Sequence, residues 1–107
     1  MQDFRNLDVW KRSHDLTLSV YRITKSFPND ERFGLTSQLR RGAVSIPANL
    51  AEGCGRGSDA DFGRFVQNAM GSSTEVEYEF LRDKDLTYLK PQQYTSLNDE
   101  ITGSSVC

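Results

Sequence analysis

Apolar residues recur along the chain at steps of three and four, and prolines and glycines cut that rhythm into four stretches. In the first, Phe4, Leu7, Val9 and Trp10 lead into Leu16, Val20, Ile23 and Phe27. This spacing predicts a helix over 7–25, with Asn6 as its N-cap and Lys25 at the negative end of its dipole. Phe27-Pro28 then forces a turn, because the residue before proline is pushed out of the helical region. A second helix over 29–52 starts at Pro28 and Asn29, with Asp30 and Glu31 in its first turn. Its core stripe is Phe33 or Leu35, then Leu39, Ala43, Ile46 and Leu50. Pro47 interrupts that stripe; it lacks an N–H and crowds the Ala43 carbonyl, so the helix is expected to bend there. Gly53, Gly55 and Gly57 end it.

Ser58, with Asp61 three residues on, nearly completes a capping box and starts a third helix over 58–87. Phe62, Val66, Ala69, Ser73, Val76 and Phe80 follow the seam spacing of bundled helices, and Phe65 and Leu81 widen the seam. Lys90-Pro91 makes the next turn, and Tyr94, Leu97 and Ile101 mark a fourth helix over 91–101. The closing GSSVC carries no helical pattern. The predicted fold is all-α, an antiparallel up-down-up-down four-helix bundle with a shortened fourth helix, in one domain over 1–107.

Two polar features qualify this pattern. Gly42, Ser45 and Asn49 run beside the core stripe, where small side chains let another helix approach closely and leave Asn49 needing partners inside the bundle. Glu75, Glu77 and Glu79 read as a solvated face, with Glu75 next to the seam and able to turn inward.

With 107 residues, 36% hydrophobic and 26% charged, the chain has the composition of a small globular domain whose stability oligomerisation would help. The net charge of −2 is uneven: residues 1–66 hold 10 Lys and Arg against 8 Asp and Glu, and 67–107 hold 3 against 7. No run approaches the roughly 20 apolar residues of a membrane span, and the N-terminus has no signal-peptide core, so a cytoplasmic protein is expected. Cys54, Cys107 and His14 have no metal-ligand spacing, and a disulfide does not suit a reducing cytosol; no metal or cofactor is expected.

Candidate chemistry is sparse. His14 has two readings, a general base or a solvated histidine among Lys11, Arg12, Ser13 and Asp15. The stretch Glu52-Gly53-Cys54-Gly55-Arg56-Gly57 suggests a phosphate cradle, but no strand precedes it, and a helix stop with tight reversal explains it as well. Cys54, beside Arg56 and a helix start, is either a thiol of lowered pKa or a small loop residue. Arg40, Arg41, Arg56 and Arg64 form the best basic cluster. They are the candidate contacts to RNA phosphates, with salt bridging to Asp59, Asp61 or a neighbouring subunit as the other reading. Nothing pairs a nucleophile with a base, so no enzyme and no small-molecule substrate are expected.

The segments FRNLDVWKRSHDL, FPNDERFGLTSQLRRGAVSIPANLAEGCGR and DFGRFVQNAMGSSTEVEYEF resemble the bacterial four-helix-bundle family often encoded in intervening sequences of 23S rRNA genes. The likeness covers about residues 4–94, and SIPANLAEG is its most specific part. It implies an antiparallel protomer assembling into a homopentameric ring, with no enzymatic activity. The related accessory variability proteins of diversity-generating retroelements form a similar barrel that binds nucleic acid and a reverse transcriptase. This chain departs from the family by closing on ITGSSVC, where the family's fourth helix usually runs on, and by being less basic than the retroelement proteins. The expected function is therefore a non-catalytic, homo-oligomeric scaffold for RNA or an RNA-handling partner. The alternative is a protein-interaction module that binds no nucleic acid.

Overall fold

A computed structural model describes residues 2–103, and its regular structure is entirely helical. Four helices, α1 (Asp8–Ile23), α2 (Leu35–Cys54), α3 (Asp59–Asp85) and α4 (Pro91–Gly103), run alternately up and down. Helix α2 packs most extensively on α3 and then on α1, while the short α4 lies against α1 and α3 and closes the bundle. The long axis measures 43 Å, close to the roughly 40 Å that the 27 residues of α3 span. The core joins Leu16 and Val20 of α1, Leu39, Ala43, Ile46 and Leu50 of α2, Ala69, Val76 and Phe80 of α3, and Leu97 and Ile101 of α4. The expected stripes of all four helices thus meet in one cluster.

The helix ends differ from expectation in instructive ways. Asn6 does not cap α1. It closes a 3-10 turn, Phe4–Asn6, whose cap is the side chain of Asp3, and Leu7 precedes α1 with no side-chain cap bond. The second helix does not begin at Asn29. Asn29–Glu31 form a separate 3-10 turn, and α2 starts six residues later at Leu35, after Gly34. Glu31 reaches forward so that its Oε1 accepts from the Leu35 N–H at 3.2 Å. A Cβ on Gly34 would lie 2.7 Å from that oxygen, so glycine makes room for this external cap. The other oxygen of Glu31 accepts from the Tyr88 hydroxyl at 3.0 Å, tying the start of α2 to the turn after α3. Because this turn interrupts the helix, Phe33 is 88% exposed and only Leu35 takes part in the stripe, half-buried.

Ser58 caps α3 as expected, its hydroxyl accepting from the Asp61 N–H at 3.2 Å. The helix ends at Asp85 in a Schellman-type turn: Thr87 N–H bonds to Lys84 O and Tyr88 N–H to Asp83 O, both at 2.9 Å. Thr87 there has φ 67°, a left-handed conformation that disfavours a β-branched residue. Leu81 does not widen the core; it is exposed. Helix α4 continues two residues beyond Ile101, to Gly103, and the remaining tail, with Cys107, lies outside the described residues.

Pro47 is buried inside an uninterrupted α2. It cannot donate to the Ala43 carbonyl, and Thr17 of α1 answers the deficit, its Oγ1 donating to Ala43 O at 3.2 Å. The same hydroxyl also lies 2.9 Å from Ser13 O, so its single proton is shared.

Candidate functional site

Arg40 and Arg41 are neighbours in sequence but point about 100° apart around α2. Arg40 is half-buried; its Nε donates to Thr24 Oγ1 at 2.8 Å and its Nη2 to Tyr21 O at 3.4 Å. Its guanidinium also lies 4.7 Å from the Tyr21 ring centre, so it caps the C-terminal end of α1. Arg41 is exposed, on the rim of a hollow between α2 and α3 that Gln38, Gly42, Ser45, Ser72 and Glu75 also line.

Arg56 and Arg64 are brought together at the other end, about 20 Å along α2 from Arg41. Each guanidinium sits 4.9 Å from the centre of the Phe65 ring. Arg56 pairs with Glu52 at 3.3 Å and Arg64 with Asp61 at 3.4 Å, both largely in solvent. Such exposed pairs contribute about 0–1 kcal/mol, little enough for a phosphate to displace either carboxylate. Asp59 and Asp61 already offset the positive end of α3, so an anion here would depend on the two guanidiniums more than on the helix dipole. The expected cluster of four is therefore a pair around Phe65, one open arginine on the hollow, and one arginine engaged with α1.

The glycine-rich stretch does not hold a reactive thiol. Cys54 is the last residue of α2 and is buried; that burial, followed by the charge of Asp3, pushes its thiol up instead of down. Gly53 is the close-packing position of this stretch, since a Cβ there would lie 3.0 Å from Phe65 Cβ. His14 is exposed and stacks on Trp10, with ring centres 5.0 Å apart and planes 8° from parallel. Among the described residues no three His, Cys, Asp or Glu side chains are grouped to hold a metal ion.

A polar seam runs between α2 and α3; its small α2 stripe was expected, its buried α3 carboxylates were not. Glu79, expected on a solvated face, is buried, while Glu75, expected on the same face though placed where it could turn inward, is exposed. The reason lies across the interface at Gly42, where a Cβ would stand 2.9 Å from Val76 Cγ2 and 3.0 Å from Glu79 Oε1. Without that side chain α2 settles onto α3 and covers the glutamate. Asp83 is also buried; its Oδ1 accepts from Arg82 Nε at 2.9 Å, and Arg82 Nη1 donates to Gln38 Oε1 at 2.8 Å. Farther along, the Ser45 and Ser72 hydroxyls meet at 2.7 Å, and Asn49 Nδ2 donates to Ser45 O at 2.7 Å. Burial raises the Glu79 carboxyl to about 7, with Arg82 opposing the shift and Glu75 and Asp83 adding to it. Asp83 is raised too, by burial first, despite its bond to Arg82. The readable signal was a pairing of stripes: Gln38, Gly42, Ser45 and Asn49 on α2 match Ser72, Glu75, Glu79 and Arg82 on α3.

Residues 5–105 match the family model described as 23S rRNA-intervening sequence protein. The chain belongs to that family. A crystal structure of a protein of unknown function from the S23 ribosomal protein family of Bacteroides thetaiotaomicron superposes with a TM-score of 0.82 at 27% identity, covering 90% of each chain. No curated protein matches. Neither the family description nor that of the solved relative names a catalytic activity. Among the described residues no helix is long and apolar enough to cross a membrane.

Proposed function

We propose that this family member is a non-catalytic, cytoplasmic subunit of a homo-oligomer, pentameric by its resemblance. It serves as a scaffold for RNA or for an RNA-handling partner such as a reverse transcriptase. The observation that carries this reading is the pair Arg56 and Arg64 flanking Phe65, two exposed guanidiniums against one aromatic ring at the reversal between α2 and α3. Cations beside a stacking ring suit a flexible phosphate backbone and its bases. Arg41 is a further contact, and Arg40 acts through the fold.

Filter binding to single-stranded fragments of 23S rRNA, repeated across salt concentrations, tests it. Affinity should fall as salt rises, and changing Arg56 and Arg64 together to Ala should weaken binding and flatten the salt slope by about one per lost contact. Absent affinity, or affinity indifferent to those two changes, rejects the RNA contact.

A second reading, a protein-interaction module without nucleic acid, is favoured by Arg41 on a hollow that Glu75 also lines. It expects Arg41→Glu to dissociate the oligomer in light scattering while RNA affinity is absent from the start.

A further inference from the structure

We propose that the outward side of α1 docks on the outward side of α3 of a second copy of this chain. This head-to-tail contact would build the homo-oligomer proposed above, and it rests on that reading. Leu18 and Tyr21 are neighbours on α1, three residues apart; both are exposed, Leu18 by 50%. The stacked rings of Trp10 and His14 continue the same side, with His14 one turn before Leu18. On α3, Tyr78 and Leu81 form a matching exposed pair, Tyr78 by 61%. Large apolar side chains grouped in water mark contact surfaces, aromatic ones above all.

Charge decides the occupant. Lys11 and Lys25, seven residues either side of Leu18, return to its side of the helix, and Arg22 is one turn on; Asp15 is the one acid beside them. Around Tyr78 and Leu81 stand Glu75, Glu77 and Asp85, all exposed. Among the described residues Lys11, Arg22 and Lys25 pair with no carboxylate, Glu75 and Glu77 pair with no cation, and Asp85 has only Lys84 at 3.8 Å. The cations on α3 are turned to their own chain, Arg82 to Asp83 and Gln38, and Lys84 over the Tyr94 ring at 4.6 Å. One side thus sets free positive charge around an apolar pair, and the other sets free negative charge around another.

The two sides cannot meet within one protomer. Helices α1 and α3 are diagonal in the bundle, each packed on α2 and α4, so their outward sides look away from each other. From Lys11 to Arg22 and from Thr74 to Asp85 the stripes are equally long, about 16 Å. RNA would use the cationic stripe alone, whereas a second copy accounts for both. Because the two surfaces differ, every copy carries an unused face to the next, and the series ends where the rotation closes it into a ring.

Sedimentation of the whole protein over a dilution series tests this with two double variants, Leu18→Ala with Tyr21→Ala on α1, and Tyr78→Ala with Leu81→Ala on α3. All four side chains are exposed, so the helical circular dichroism should not change. Each variant alone should raise the subunit dissociation constant about a hundredfold or more. The decisive sample is their equimolar mixture. The intact α3 side of the first variant meets the intact α1 side of the second, so the mixture should form a one-to-one dimer and stop there. Two dissociated variants that give no dimer on mixing would mean a self-matching contact and overturn the proposal. If either variant assembles like the native protein, the proposal fails while the homo-oligomer stands. That includes an α1 variant that loses only RNA affinity, since its stripe would then serve the nucleic acid. A native protein that is a monomer at every concentration overturns both this contact and the homo-oligomer.

Discussion

Val76 and Phe80 on one side of α3, and Glu79 and Asp83 on the next, are all buried within about two helical turns, yet they act on the bundle in opposite ways. The first pair joins the common core with Leu39, Ala43 and Ile46, where the packed side chains are apolar and their burial is favourable by itself. The second pair lies under α2 with Oε1 of Glu79, Oδ2 of Asp83 and Nη2 of Arg82 all unpaired; the guanidinium of Arg82 bonds only Oδ1 of Asp83 and Gln38. Equal burial thus stabilises one face and leaves the other with an unmet electrostatic demand. A helix can be drawn into a core by its apolar side and carry a charged side in with it, provided the neighbouring helix is small enough there. Gly42 is where α2 is small enough.

The largest expected effect lies on the apolar side. Phe80→Ala should cost about 3–5 kcal/mol in urea denaturation followed by far-UV circular dichroism, since its side chain has no solvent exposure. A loss under about 1 kcal/mol would mean that the core tolerates a cavity there and that the two faces matter equally little.

On the polar side the effect is pH-dependent. Burial holds the Glu79 carboxyl near 7, above its ordinary value of 4.5, so the folded protomer binds that proton more tightly than the unfolded chain does. Stability is then greatest below pH 4.5, declines as pH rises through 7 and levels off beyond it, by about 3 kcal/mol from this group. The raised Asp83 adds a decline of the same sign. Denaturation at pH 5 and pH 8 should show Glu79→Gln losing most of the difference; an equal difference in the variant would place the titration elsewhere.

Gly42→Ala tests the boundary between the two faces. Alanine favours the helix by about 1 kcal/mol, but its Cβ would stand 2.9 Å from a methyl of buried, stiff Val76. The clash should win, leaving a net loss of about 1–2 kcal/mol, with α2 pushed off Glu79. A gain in melting temperature would show that the helices separate freely and that glycine is not what seals the seam.

The apolar face was legible in the sequence because its signal is local. Leu39, Ala43, Ile46 and Leu50 declare their side of α2 through spacing alone, whatever they pack against. Glu79 was not legible, because what buries it is the lack of a side chain on another helix, and a glutamate in a run with Glu75 and Glu77 resembles any solvated face. The same limit applied to the arginines. Arg40 and Arg41 form one basic patch in sequence, but the helical rotation sends one to α1 and the other to the α2–α3 groove. Arg56 and Arg64 were read correctly as near neighbours; their meeting over Phe65 depends on how the loop returns. Phe33 failed for a different reason: the 3-10 turn of Asn29–Glu31 and the cap from Glu31 delay α2, so a residue in register with the stripe lies outside the helix.

The smallest effect concerns the other side of α2, where Thr17 meets the carbonyl that Pro47 leaves without its helical donor. Here a buried polar group is paired across helices, in contrast to Glu79, so removing the pairing should expose the cost that the seam already carries. Thr17→Val keeps the shape and deletes the donor, and should lose about 1–2 kcal/mol. Part of that loss comes from the bond to Ser13 O, which any background would share. The remainder depends on Pro47 alone, because Pro47→Ala restores an N–H that can donate to Ala43 O. A double-mutant cycle separates the two parts: Thr17→Val should cost about 1 kcal/mol less in the Pro47→Ala background than in the native one. Strict additivity would mean that the Ala43 carbonyl is satisfied without Thr17. The contact between α1 and α2 would then be packing only, and the unpaired oxygen of Glu79 would lose its paired counterpart as a point of comparison.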